Sequence, residues 1–203
     1  MDKPAVSDIA FSPQIKAEQE KRGSRAGYAR KDQKGGWPDR VTDDLAAFIA
    51  ARDSFYLATA SAAGQPYIQH RGGRAGFLRV LDDKRLAFAD FAGNRQYITI
   101  GNAAENPKAL IFLMDYRNRR RIKLWGNLGV VEDDAELLTS LLDEGYDGKP
   151  ERAFVFTLEA WDVNCPQHIT QRWSEAEIAP VIEAMQQKIE ELEAEVARLR
   201  GQS

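Results

Sequence analysis

Between Ser54 and Val163 the chain alternates short apolar-rich runs with tight turns, and this rhythm restricts the fold more than any other feature of the sequence. "SFYLATAS", the turn "AAGQ" and "PYIQH" read as one strand pair, and "GFLRVL", "DDK" and "RLAFADF" as a second. "KALIFLMD", "RIKLWGNLGVVE" and "RAFVFTLEAWDV" add three more strands. Short strands joined by turns bury one face and close into a barrel or a sandwich. Two helices interrupt the strands, one after Arg95 and one at "DAELLTSLL", Asp134–Leu142. Strand and helix do not alternate in register over the whole length, which argues against a doubly wound parallel sheet.

The flanks differ from this middle. Residues 1–40 are polar and rich in Lys, Arg and Gly; they predict one short helix and then a breaker at Gly35-Gly36-Trp37-Pro38. Such a segment is either a solvated arm or a helix packed on a partner subunit. "TDDLAAFIAAR" predicts a helix capped by Thr42 or Asp43, with Leu45, Phe48 and Ile49 on one face. At the C-terminus Ile178, Ile182, Met185, Ile189, Leu192, Val196 and Leu199 repeat at alternating spacings of four and three. That is a heptad seam with β-branched residues at every full a position, the pattern of a parallel two-stranded coil. The alternative is a helix lying on its own domain. Ser174 and Glu177 fit a capping box at its start, and Pro180 predicts a kink or a restart. The expected organisation is therefore an N-terminal polar arm or helix over 1–40, a β domain over 41–172 and a heptad helix over 174–203.

The chain of 203 residues is 43% apolar and 29% charged, with a net charge of −3, so nothing global points to a nucleic-acid partner. No apolar run approaches the roughly 20 residues needed to span a bilayer. "MDKPAVSDIAFSPQ" lacks the basic start and apolar core of a secretory signal. Cys165 is the only cysteine, which excludes an intrachain disulfide and suits a reducing cytoplasm.

One turn carries a specific chemistry. Gly93-Asn94-Arg95-Gln96 lies between a strand and a helix expected over roughly Gln96 to Ala104. Glycine at positive φ lets N–H groups converge, the amides add neutral donors, Arg95 adds a charged fork, and the helix points its positive end into the turn. Together these suit a phosphate-sized anion; alone they describe a Gly-Asn turn with a surface arginine. Two further segments are basic and free of acid. "YIQHRGGRAGFLRVL" carries Arg71, Arg74 and Arg79, and matches neither a Walker loop nor a dinucleotide fingerprint. "YRNRRRIKLWG" carries Arg117, Arg119, Arg120, Arg121 and Lys123, and by itself reads as a solvated hairpin tip. If the three segments converge they form a site for a phosphorylated or anionic ligand.

In order and spacing, "QPYIQHRGGRAGFLRVLDDKRLAFADFAGNRQYITIGNAAENPKALIFLMDY" followed by "RRRIKLWGNLGVVE" resembles the pyridoxamine 5′-phosphate oxidase-like, FMN-binding split-barrel family. The resemblance covers about residues 53–162. It implies a mainly β fold with flanking helices, a split β-barrel, with the heptad helix as a C-terminal coiled coil. It implies a homodimer that binds riboflavin 5′-phosphate (FMN) at its interface, with deazaflavin and haem as alternative cofactors. By this resemblance Asn94, Arg95 and Gln96 hold the phosphate, with Gln96 in place of the family's lysine. Arg71 faces the flavin, Phe77 and Leu78 offer backbone contacts, and Asp90 and Phe91 lie beside the ring. Arg120 and Lys123 keep the charge of the family's substrate-phosphate motif, while Trp125 replaces its acid.

The family's terminal Arg-x-His motif is missing, which argues against pyridoxine oxidation. The chain is more similar to longer flavin-binding relatives that share "N-C-P-Q-H-I". Gln167 and His168 are expected to line the flavin pocket. His168 is a candidate proton donor, because histidine is the side chain suited to proton exchange at neutral pH. No metal site is expected. Cys165 reads as a small residue at a turn, or as a thiol able to exchange electrons with a flavin. The implied function is an FMN-dependent oxidoreductase acting on a small molecule; the alternative is a non-enzymatic flavin or haem carrier or sensor.

Overall fold

In β1 (Ser54–Ala60) Phe55, Leu57 and Thr59 are buried and the residues between them turn outward. This period-two pattern recurs in β5 (Lys108–Asp115) and β6 (Arg120–Val131), where Ile111, Leu113, Ile122 and Leu124 face inward. The computed structural model describes residues 4–143, 145 and 147–201. The chain divides into two compact units, Met1–Asp115 with Arg120–Pro166, and Tyr116–Arg119 with Gln167–Ser203.

The first unit is built on a seven-stranded sheet that also contains β2 (Pro66–Gly72), β3 (Arg79–Val80), β4 (Arg85–Phe91) and β7 (Pro150–Val163). The order is β2-β1-β5-β6-β7-β4-β3, with every pairing antiparallel. The expected mainly β split barrel with flanking helices is what the chain forms. β3 pairs with β4 only at Arg79–Ala87 and Val80–Leu86, so the Phe88–Phe91 half of β4 has β7 as its strand neighbour. That bare half of β4 lies across a seam from β2, and Arg71 bridges the seam to Asp90.

"GFLRVL" contributes only these two paired residues because its start is held elsewhere. Gly73 N and Gly76 N donate to Asp53 O and Arg52 O, and Gly76 has φ +84. The resulting turn drives Leu78 into the core instead of along a strand.

The core is aromatic at its centre. Phe88 meets Phe55 edge-on at 5.2 Å and stacks on Phe154 at 5.2 Å. α3 (Asp43–Ala50) covers one end with Leu45, Phe48 and Ile49, and Thr42 Oγ1 caps it by accepting from Leu45 N.

The N-terminal segment forms a 3-10 turn at Val6–Ile9 and two helices, α1 (Pro13–Lys21) and α2 (Arg25–Gln33), where one helix was expected. Its helices carry no buried residue, and it is anchored through Ser7 and Trp37. Trp37 is buried and stacks on Trp125 at 4.8 Å, Phe11 meets Trp37 edge-on, and buried Ser7 donates to Asp32. The supposed breaker therefore holds the anchor.

α4 (Ile98–Glu105) and α5 (Ala135–Ser140) are the two interrupting helices. The second unit contains α6 (Glu175–Arg200), which opens with the Ser174–Glu177 capping box. α6 runs through Pro180 without a restart; proline near the start of a helix removes few intrahelical bonds. Within this unit Arg117 donates to Glu177, and Gln171 donates to the Arg117 carbonyl. No helix among the described residues is long and apolar enough to cross a membrane.

Gly126 sits at the β6–β7 irregularity, where a Cβ would collide with the Thr157 carbonyl oxygen. Gly126→Ala is expected to destabilise the protein by about 3 kcal/mol in chemical denaturation. Gly101→Ala, in open space on α4, should be neutral or stabilising by up to about 1 kcal/mol.

Candidate functional site

β4 delivers the chain to a turn that is bent by its own side chains. Ala92 N donates to Lys149 O, and Asn94 Oδ1 accepts from Gln96 N at 3.2 Å. The left-handed residues are Arg95, φ 58, and Tyr97, φ 55; Gly93 lies outside that region, contrary to expectation. Two non-glycine residues in this conformation within three positions are uncommon and store strain of the kind found at ligand sites. They also delay the helix, so α4 begins at Ile98 and not at Gln96. No side chain caps α4, so its first N–H groups remain available beside the turn. Thr99 Oγ1 donates to Gln69 Oε1, and Asn102 Nδ2 donates to Thr59 Oγ1, tying α4 to β2 and β1.

The turn forms one wall of a cleft of about 260 Å³ that runs into the β2–β4 seam. Tyr67, Gln69 and Arg71 line it from β2, Asp90 and Phe91 from β4, and Glu151, Arg152 and Phe154 from β7. Asp90 is the electrostatic hinge of the cleft. Its two oxygens accept from Arg71 at 2.7 Å and from Arg152 at 3.1 Å, and Arg152 also binds Glu132 and Glu151. The Arg71 guanidinium lies 5.3 Å from the Phe154 ring and 5.6 Å from the Phe88 ring. Its Nε is buried without a hydrogen-bond partner. Arg95, on the rim, is exposed and makes no ion pair among the described residues. Of the three arginines lining the cleft, Arg95 is uncommitted, Arg71 is held by Asp90, and Arg152 is held by three carboxylates.

Of the residues singled out in the sequence, Arg71, Asp90, Phe91, Asn94, Arg95 and Gln96 meet here. Phe77 stacks on Phe55 at 5.4 Å and lines a neighbouring cavity of about 220 Å³ that shares Arg71 and Phe91 with this one. Leu78 is core. Arg120 lies over the Phe48 ring of α3 and does not line the cleft. Lys123 sits over Trp125 and faces Asp162 at 4.0 Å; burial lowers the pKa of the amine and raises that of the acid. Arg79 binds Asp143. Within the first unit, the arginines that the basic segments bring to the cleft are Arg71 and Arg95. Gln167 and His168 belong to the second unit, where His168 is left-handed at φ 62. Tyr67, Gln69, Thr99, Glu151 and Arg152 escaped the sequence reading. Gln69 was within reach, since it shares a strand face with Arg71; Arg152 depends on its pairing opposite Asp90.

Residues 41–165 match the family model described as "Pyridoxamine 5'-phosphate oxidase". The chain belongs to the pyridoxamine 5′-phosphate oxidase family. Among solved structures, HupZ of Group A Streptococcus has the same fold. It is 20% identical, with a TM-score of 0.51 over 66% of this chain and 99% of that one. An FMN-binding protein from Syntrophomonas wolfei is 14% identical, with a TM-score of 0.46 over 75% of this chain and 95% of that one. No curated protein matches the sequence. In this member of the oxidase family, the cleft lies within the matched range, at the end of β4 where the barrel is split.

Asp90 has 8% of its surface exposed and neutralises two arginines. Asp90→Ala should therefore destabilise the fold by about 3 kcal/mol, read as a lower urea midpoint, because it leaves the half-buried Arg71 without its carboxylate, while Arg152 keeps Glu132 and Glu151.

Proposed function

We propose that this chain is an FMN-binding flavoprotein, an oxidoreductase acting on a small molecule, with its flavin site completed by a second copy in a homodimer. The observation that carries this reading is the convergence in one cleft of the Arg71 charge, the uncommitted Arg95 and the uncapped start of α4. The Arg71 Nε is closed off from solvent, so the donors a ligand would meet in the cleft are those of Arg95 and of the start of α4, with the Arg71 charge behind them. An elongated ligand with a phosphate at one end and a ring bearing carbonyl oxygens at the other fits this donor set. Membership of the oxidase family supports the same choice.

In this reading Arg95, with the amides of Asn94 and Gln96 and the N–H groups opening α4, would hold the phosphate. Arg71, Gln69 and Phe91 would line the ring. Asp90 would keep Arg71 in place, and its own charge is already spent on the two arginines. FMN, when bound, supplies hydride and single-electron transfer. A cleft of about 260 Å³ falls short of the ~300 Å³ at which small-molecule sites begin, which is why a second protomer belongs to the proposal. His168 is included as a proton donor on sequence grounds alone, and a cytoplasmic setting on the strength of the single cysteine.

One observation favours a second reading, a non-catalytic flavin carrier. The two acids lining the cleft, Asp90 and Glu151, are both engaged by arginines, which leaves neither as an obvious general acid or base. Turnover with reduced nicotinamide and a common acceptor decides between the two.

Arg95→Ala is expected to weaken FMN binding 10- to 100-fold in a fluorescence titration while leaving riboflavin, which has no phosphate, unchanged. Equal loss for both ligands, or for neither, would remove Arg95 from the phosphate site.

A further inference from the structure

The second unit presents a surface that the flavin reading does not use. Along α6 the seam residues Ile178, Ile182, Met185, Ile189, Leu192, Val196 and Leu199 are all 40–62% exposed. The stripe is narrow. Apart from Ala179 and Val181 at the start of the helix, the flanking e and g positions are polar or charged: Gln186, Glu193 and Arg200 at e, Lys188 and Glu195 at g. A helix that packs on a globular core carries a third apolar row at e or g; a stripe confined to a and d is a coiled-coil seam. The occupant must then be another helix with a matching seam.

We propose that this occupant is α6 of a second copy, in a parallel, in-register, two-stranded coil. Charge selects the orientation. In parallel, Lys188 faces Glu193 of the partner subunit and Glu195 faces Arg200 of the partner subunit, and symmetry doubles both, giving four attractive pairs. The antiparallel pairing of the same seam keeps only Lys188 with Glu195 and its symmetry mate. Strand number follows from shape: Ile182, Ile189 and Val196 at a, with Met185, Leu192 and Leu199 at d, favour two strands. The intrahelical pairs Lys188–Glu191 and Glu195–Arg198 are exposed and worth little, so they do not oppose re-pairing across the seam.

The test uses the full-length chain with Cys165→Ser, so that one introduced thiol is the only one. Val196→Cys, at a, is expected to cross-link to its own counterpart under mild oxidation at least tenfold faster than Glu190→Cys on the outer face. Adding Ile189→Glu should slow that cross-link tenfold or more, with far-UV circular dichroism confirming that the first unit is folded. Equal rates for Val196→Cys and Glu190→Cys would overturn the coil. Cross-linking of Val196→Cys only when mixed with Met185→Cys would overturn the parallel arrangement. The readout does not involve flavin, so it stands or fails apart from the cofactor assignment.

Discussion

The Arg71–Asp90–Arg152 chain of ion pairs determines what kind of site this barrel can have. β2 and the bare half of β4 present edges that do not hydrogen-bond to each other, so the sheet closes through side chains. Burying such charges gains little net stability, because desolvation offsets most of the attraction. What the network provides is position. Asp90 fixes the reach of Arg71 from one edge and of Arg152 from beside the other, and the Phe88 and Phe154 rings support the Arg71 guanidinium from below. The seam is therefore bridged by ion pairs that lie against two aromatic rings.

The turn after β4 follows from the same geometry. Once Phe91 leaves the sheet, the chain must reverse into α4 within a few residues. It does so by placing Arg95 and Tyr97 in the left-handed region, with the Asn94 side chain bonded to the Gln96 N–H. The strain is repaid by the ties from α4 back to Gln69 and Thr59. As a result a charged fork and an uncapped helix start share one cleft with Arg71. The flavin proposal rests on this arrangement.

Much of the fold could be read from the sequence, because alternation with period two is a local property. β1, β4 and β5 occupy the residues that their patterns mark out, and the heptad repeat of α6 is just as plain. Long-range features were hidden. Arg152 stands opposite Asp90 only through the β4–β7 register, across 62 positions of sequence, which no local pattern encodes. Trp37 looks like part of a breaker, yet its stacking on Trp125 pins the N-terminal helices. The left-handed positions were assigned to Gly93 by propensity, whereas the Asn94 hydrogen bond and the α4 contacts impose them on Arg95 and Tyr97. Half of the site was visible for a similar reason: residues of the β4–α4 turn are neighbours in sequence, and those of the β7 wall are not.

The most direct measurement is identification of the small molecule released on denaturing the protein after purification without added cofactor, with reconstitution by FMN if none is found. One FMN per protomer is the expected result. Haem, a deazaflavin, or a protein that stays colourless after exposure to FMN would contradict the assignment of the seam as a flavin site.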